Sequence, residues 1–275
     1  MKLVCFDRGN GPETGIVKGE TITLTGRSGD VRDLILQWDD VKDNLASPDS
    51  VAVSEVNFLA PVLRPGKIFA IGLNYADHIA ESKMETPANQ VWFTKAQTSI
   101  NGPYDPILIA SSGPYVDYEV ELVAIVGKRG KNIPAERADE YIFGYCVGND
   151  VTERFWQHRT PQWSLGKSFD THAPIGPWIT TADEVTDPHD LNLKCLVNGE
   201  TRQNSNTRHL VFNIRDQIEH LSAGMTLEPG DLIFTGTPGG VGAAMDPRQF
   251  LKPGDIVRCE VDGLGAIEAI MIKED

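Results

Sequence analysis

Asp117-Tyr118-Glu119-Val120-Glu121 runs directly into Leu122-Val123-Ala124-Ile125-Val126, and a second apolar run, Tyr141-Ile142-Phe143-Gly144-Tyr145-Cys146-Val147, ends on Gly148-Asn149-Asp150. Side chains alternate across a strand, so Asp117, Glu119 and Glu121 fall on one face and Tyr118, Val120 and Leu122 on the other. Carboxylates two residues apart on a strand are roughly 7 Å from Cβ to Cβ, and ionised ones entering an apolar segment repel unless a cation sits between them. A neighbouring strand ending at Asp150 could add a third carboxylate. Three oxygen donors with no Cys or His among them suit Mg²⁺ or Mn²⁺ better than Zn²⁺.

The competing reading of Glu-x-Glu in an acidic chain is an outer strand face with solvated acids. The pentad 122–126 speaks against it. An exposed strand keeps alternating, whereas five consecutive apolar residues read as buried on both faces.

Five blocks give the chain a resemblance to a known family: Gly72-Leu73-Asn74-Tyr75-Ala76-Asp77-His78, Asp117 to Leu122, Gly148-Asn149-Asp150-Val151-Thr152, Gly166-Lys167-Ser168-Phe169-Asp170 and Thr235-Gly236-Thr237-Pro238-Gly239-Gly240-Val241-Gly242. In this order they are similar to the fumarylacetoacetate hydrolase family, most of all its branch acting on acylpyruvates and 2,4-diketo-3-deoxy sugar acids. The resemblance implies that Glu119, Glu121 and Asp150 hold one Mg²⁺ or Mn²⁺ per subunit and that Lys167 points at the metal-bound substrate. It also implies a homodimer, and a mixed β-sandwich roll after about residue 65.

The fold class expected is therefore α+β and β-rich, since the pattern shows many short strands, few helices and frequent Pro/Gly turns. Residues 1–62 read as a small N-terminal α/β module and 63–275 as the catalytic domain. The module shows strands near 3–6, 14–17, 21–24 and 56–59, a hairpin turn at Lys18-Gly19-Glu20 and a helix over 31–38. Pro61-Val62-Leu63-Arg64-Pro65 reads as a linker, because two prolines in five residues exclude a helix.

A formal charge of −14, from 25 basic and 39 acidic residues, excludes nonspecific binding to nucleic acid or anionic membrane. Anionic substrates must then be drawn in by local positive charge. The opening residues Met1 to Arg8 show no apolar signal core and no stretch approaches the roughly 18 apolar residues of a membrane span, so a cytoplasmic location is expected. Cys5, Cys146, Cys195 and Cys259 are far apart, with no Cys-x-x-Cys, and read as reduced core residues.

Further along, Lys67 to Gly72 reads as a buried strand, and the segment from Asn74 as a helix with Tyr75, His78, Ile79 and Ser82 on one stripe. His78 and Glu81, three apart, share a helix face. Trp92 to Lys95 is a short strand, 135–140 is helix-compatible behind Pro134, and 151–158 is a short helix carrying Arg154 and Gln157 beyond Asp150. Asn198-Gly199 marks a hairpin turn, and Asn213 to Ala223 an amphipathic helix with Gly224 as its C′ residue. The loop 235–242 lacks the Gly-Lys-Ser/Thr ending of an ATP-binding loop, but Gly236 and its neighbours can turn backbone N–H groups, and Thr237 its hydroxyl, toward a carboxylate.

These residues suggest one site for a small anionic 2-oxo or 2,4-dioxo acid. The leading expectation is hydrolysis of a C–C bond in a 2,4-dioxo acid, giving pyruvate or a related 2-oxo acid plus a carboxylic acid. His78 would take the proton of the attacking water, Glu81 would orient the imidazole, and Lys167 would stabilise the oxyanion. Gln157, Thr237, Arg154 and Gly236 are the expected substrate contacts. The alternatives use the same enolate without water attack: isomerisation of 2-hydroxyhepta-2,4-diene-1,7-dioate, decarboxylation of oxaloacetate-like acids, or a ureidoglycolate lyase activity. A binding protein that lost chemistry is the reading from another class. The segment 78–87 is expected to act as a lid.

Overall fold

The computed structural model describes residues 1–82 and 85–274 of the chain. Strands β1 (Lys2–Asp7), β2 (Pro12–Lys18) and β3 (Thr21–Ser28) form a meander. The β2–β3 turn is the expected one, with Gly19 at φ 60°, a conformation glycine adopts without a Cβ clash. Helix α1 (Val31–Ile35) begins at a reciprocal cap, Asp30 accepting from the Arg32 and Asp33 N–H groups while Asp33 accepts from the Asp30 N–H. The single helix expected over 31–38 is two: Gln37 leaves helical geometry at φ −117°, and α2 (Trp38–Val41) follows. Short strands β4 (Ser50–Ala52) and β5 (Asn57–Leu59) complete this part.

After 61–65 come β6 (Ile68–Gly72), α3 (Ala76–Ser82), β7 (Val91–Thr94), β8 (Ile100–Asn101), β9 (Ile107–Ile109), β10 (Val116–Asp117) and β11 (Val120–Val126). Then follow β12 (Ile142–Asn149), β13 (Thr152–Glu153), α4 (Arg154–His158), β14 (Ala173–Thr181), β15 (Asn192–Val197) and β16 (Glu200–Asn206). Helix α5 (Ile214–Gly224) and strands β17 (Leu232–Phe234), β18 (Ile256–Val261) and β19 (Gly265–Lys273) finish the chain. The large sheet runs β4-β3-β2-β1-β14-β12-β11-β17-β6-β7, a smaller one β16-β15-β18-β19-β9, and β10 pairs with β13. The fold is α+β and strand-rich, as expected. The first strands join the large sheet directly, β1 pairing with β14 through Lys2↔Thr180 and Leu3↔Ile179.

Strand β11 is the middle of this architecture, and all seven of its residues are buried. Val120, Leu122, Ala124 and Val126 face the smaller sheet, meeting Leu193, Cys195, Val257 and Cys259. Val123 and Ile125 face the opposite layer with Leu34 and Ile35 of α1. That two-sided burial is why the pentad does not alternate, and each such side chain contributes about 1.5–3 kcal/mol by leaving water.

Several local expectations change. Residues 135–141 form a 3₁₀ rather than an α-helix, and Thr152–Glu153 is a strand, so that α4 starts only at Arg154 with Glu153 as its N-cap. Gly224 is the last residue of α5, which ends on Met225 at φ −133° without a left-handed cap. The β15–β16 turn is as expected, Asn198 and Gly199 lying at φ 52° and 81°. All four cysteines are free and buried.

Candidate active site

The β11–β12 register makes the site. Val120 pairs with Asn149, and beyond the paired strands the Glu119 backbone stays in register, its N–H donating to Asn149 Oδ1 at 2.9 Å and its carbonyl accepting from Asp150 N at 2.8 Å. Asp150 is thereby held beside the pair Glu119 and Glu121. One oxygen from each of the three buried carboxyl groups lies within 4.8 Å of the others.

Three buried cations surround them. Lys167 Nζ is 2.6 Å from both Glu119 Oε2 and Asp150 Oδ2, Lys95 Nζ is 2.6 Å from Asp150 Oδ1, and Arg154 is 2.8 Å from Glu119 Oε1 and Asp117 Oδ2. Among the described residues Glu121 has no ion-pair partner, and it accepts the Gly236 N–H at 2.7 Å. The electrostatics follow. Burial raises the Glu119 pKa, but Lys167 and Arg154 outweigh it and hold it at about 2. Burial, then Asp150 and Glu119, push Glu121 well above the usual carboxylate range. Burial also opposes the charge on Lys167, yet Asp150 and Glu119 prevail and raise its pKa. On Lys95 burial wins over Asp150 and lowers it.

The donor set fits a divalent cation. Its ligands are oxygens alone, and Glu121 is a carboxylate crowded by like charges whose ionised form needs a cation. With every group ionised, four carboxylates (Asp117, Glu119, Glu121, Asp150) against three cations (Lys95, Lys167, Arg154) leave one negative charge. A dication turns that into one positive charge, which is how an acidic chain can receive an anionic substrate.

A cavity of about 40 Å³ opens onto this cluster and is lined by His78, Gln157, Lys167, Thr237, Phe93 and Trp163, among others. A roomier cleft of about 560 Å³ beside Trp38 and Phe143 gathers no comparable set of buried groups. Of the sequence-predicted substrate contacts, Arg154 and Gln157 are joined, Arg154 Nη1 donating to Gln157 Oε1 at 3.0 Å. The Thr237 hydroxyl donates to Val120 O at 3.0 Å and accepts from Gln203 Nε2 at 2.8 Å.

His78 and Glu81 sit on α3, whose position is fixed by the residues before it. Leu73 at φ 54° reverses the chain, and Asn74 pins it by donating to Phe212 O and Thr235 O and accepting from Phe212 N. Nδ1 of His78 stands 3.8 Å from Glu81 Oε1, beyond hydrogen-bonding distance. Glu81 instead accepts the Gly240 N–H through Oε2. The glycine loop does aim N–H groups at carboxylates, but they are the protein's own: Glu121 from Gly236, Asp77 from Gly239, Glu81 from Gly240 and Asp117 from Gly242. The lid expected over 78–87 includes Lys83 and Met84, which lie outside the described residues.

Two site residues escaped the sequence reading. Lys95 directly follows β7, where only a charged residue closing a strand hinted at a role. Gln203 lies wholly buried on β16, accepting from Val120 N at 2.9 Å and donating to Pro238 O at 2.8 Å as well as to Thr237. Nothing in its local sequence marks it.

A strand-rich fold with a buried, oxygen-only acid triad that could hold a metal ion is the architecture of an enzyme. Residues 67–271 match the family model described as fumarylacetoacetate hydrolase C-terminal, and the chain belongs to the fumarylacetoacetate hydrolase family. It is 48% identical over 215 residues, 78% of this chain and 69% of the other, to a mitochondrial oxaloacetate tautomerase, Fahd2a, of Rattus norvegicus. Among solved structures it is similar to a fumarylacetoacetate hydrolase of Exiguobacterium antarcticum, at TM-score 0.90 and 35% identity over all of both chains. It is also similar to a maleylpyruvate hydrolase of Sphingobium sp. SYK-6 in complex with manganese(II) and pyruvate, at TM-score 0.85 and 31% identity over all of both chains.

Proposed function

We propose that this enzyme interconverts the keto and enol forms of a short 2-oxo dicarboxylic acid of the oxaloacetate type, with a divalent cation, Mg²⁺ or Mn²⁺, held by Glu119, Glu121 and Asp150. The carrying observation is the state of the His78–Glu81 pair. The groups that stabilise an enolate, Lys167 and the acid triad, are in contact, whereas His78 and Glu81, needed to activate water, stand 3.8 Å apart with Glu81 bound to the glycine loop. The higher identity to a protein named as an oxaloacetate tautomerase than to the named hydrolases supports the same choice.

In the proposed reaction a proton leaves C3, the C2=C3 bond forms, and a proton is taken up at the C2 oxygen; no water is added. The cation, when bound, supplies electrophilic polarisation of the 2-oxo acid. His78 at the cavity wall carries the C3 proton, and Lys167, kept as an ammonium by its two carboxylates, offers positive charge to the oxygen. Gln157 offers its amide to the substrate carboxylate.

Hydrolysis of 2,4-dioxo acids is the second reading, favoured by the shared helix face of His78 and Glu81, which a shift of about 1 Å would bring into a hydrogen bond. The test follows enol-oxaloacetate by its ultraviolet absorbance, with keto-oxaloacetate trapped by malate dehydrogenase. The expected result is Mg²⁺- or Mn²⁺-dependent acceleration, lowered at least about 100-fold in Lys167→Met. No acceleration, together with pyruvate release from acylpyruvates, would replace this reading with the hydrolytic one. The proposal retains a homodimer, checked by sedimentation velocity.

A further inference from the structure

Arg154 belongs to two cavities. One side chain lines the catalytic pocket and also a separate pocket of about 470 Å³ on the outer side of α4. That outer pocket is walled by the cations Arg159 and Arg248, the His158 imidazole and the aromatic rings of Tyr115, Phe155 and Phe250, and among the described residues no carboxylate lines it. In a chain of formal charge −14, many surface arginines find acids. Arg8, Arg129, Arg137, Arg208, Arg215 and Arg258 all do. Among the described residues Arg27, Arg32, Arg64, Arg159 and Arg248 have no ion pair, and of these Arg159 and Arg248 stand together in one aromatic-walled pocket.

The side chains are arranged rather than merely solvated. The Arg159 guanidinium lies 4.9 Å from the centroid of Trp156 and 6.0 Å from that of Phe155, and stacking of this kind holds its plane while leaving its edge N–H donors free. Tyr115 and Phe250 meet edge to face, with centroids 5.3 Å apart. The positive field is felt by His158, whose pKa is lowered by burial and then by Arg154, Arg248 and Lys167.

We infer that this outer pocket is a second ligand site, which takes an organic acid with an aromatic or unsaturated body, the carboxylate going to Arg159 and Arg248 and the body to Tyr115, Phe155 and Phe250. The cations supply donors matched to a carboxylate, and the rings supply an apolar face that a small inorganic anion would not use. The inference stands apart from the proposed tautomerase activity.

The test is calorimetric titration of the Mg²⁺-loaded full chain with phenylacetate, with oxalate in excess to occupy the catalytic pocket. Saturable binding at one site per chain is expected, at least tenfold weaker in Arg159→Gln/Arg248→Gln, at least tenfold weaker for phenylacetamide, and kept in Glu119→Gln. Both arginines are exposed, so the double variant should keep the wild-type melting curve; if it does not, the single Arg248→Gln variant carries the comparison, with at least threefold weakening expected. Absence of saturable binding, equal affinity in the arginine variants, or loss of binding in Glu119→Gln would overturn the inference. The keto–enol assay can fail without altering any of these outcomes.

Discussion

Lys95 Nζ and Asp150 Oδ1 lie 2.6 Å apart with both side chains wholly buried, although 55 residues separate them in the chain. Asp150 is thus shared by two lysines, Lys167 holding its other oxygen. Removing one member of a buried ion pair leaves the other charge uncompensated and typically costs about 3–5 kcal/mol. Lys95→Met should therefore destabilise the metal-free protein by about 3 kcal/mol. Addition of Mg²⁺ should recover more stability in the variant than in the wild type, because the dication meets a more negative site. Urea denaturation with and without Mg²⁺ measures both; equal metal-induced gains would contradict this account.

Glu121→Gln should act in the opposite direction. Glu121 is the triad carboxyl whose charge is opposed by burial, Asp150 and Glu119, so the neutral amide should raise metal-free stability at pH 7 by on the order of 1 kcal/mol. It should also abolish most of the metal-linked gain, which for the wild type at a hundredfold excess over Kd is about 2.7 kcal/mol. Thermal melts with and without Mn²⁺ check the pair of effects. A variant less stable than the wild type without metal would mean that Glu121 is ionised and satisfied by partners other than a cation.

His172 gives a pH dependence with a definite sign. It is fully buried, Nε2 lies 2.9 Å from Leu108 O, and burial depresses its pKa from 6.5 to about 4. The unfolded chain takes up the proton first, so the His172 contribution is fully present above pH 6.5 and is lost as pH falls from there to about 4. Its full size is about 3 kcal/mol at 1.36 kcal/mol per pKa unit. Denaturation curves at pH 7, 5.5 and 4 should show a smaller loss in His172→Gln than in the wild type, and parallel losses would remove His172 as the cause.

Gln203→Leu tests whether the glycine loop is positioned through the second sheet. The substitution leaves the Val120 N–H without its partner and frees Thr237 and Pro238 O, at a cost of about 2 kcal/mol or more. If Gln203 positions the loop, KM and kcat should both worsen, and they should worsen too in Gln203→Glu, which keeps the acceptor for Val120 N–H but has no N–H to give Thr237 and Pro238 O. A loss of stability with unchanged kinetic constants would make the role purely structural.

The central hairpin was legible because its physics is local and repetitive: a strand buried on both faces needs an unbroken apolar run, and acids at its mouth stand out against it. The turn at Asn198-Gly199 was legible for the same kind of reason, since the backbone angles there favour those two residues. Lys95 and Gln203 were not. Their roles arise from strand pairings far along the chain, and a lysine or glutamine looks the same in sequence whether it faces water or a buried carboxylate. The region after Asp150 was read as one helix because Thr152 and Glu153 are compatible with either state, and their pairing with Val116 and Asp117 decides it. The His78–Glu81 spacing correctly put both on one helix, but a spacing rule cannot tell that Gly240, far away in sequence, takes one oxygen of Glu81.

Glu119, Glu121 and Asp150 are set by the register of two neighbouring strands rather than by the loops around them. A slip of one residue there would turn Glu121 away from the site and reverse the faces of every core side chain of β11 at once, so the reactive centre and the core stand or fall together. The surrounding connections carry no such burden. Sequence drift in outlying segments such as 85–90 or 245–250 leaves that register, and with it the placement of the three carboxyl groups, unchanged.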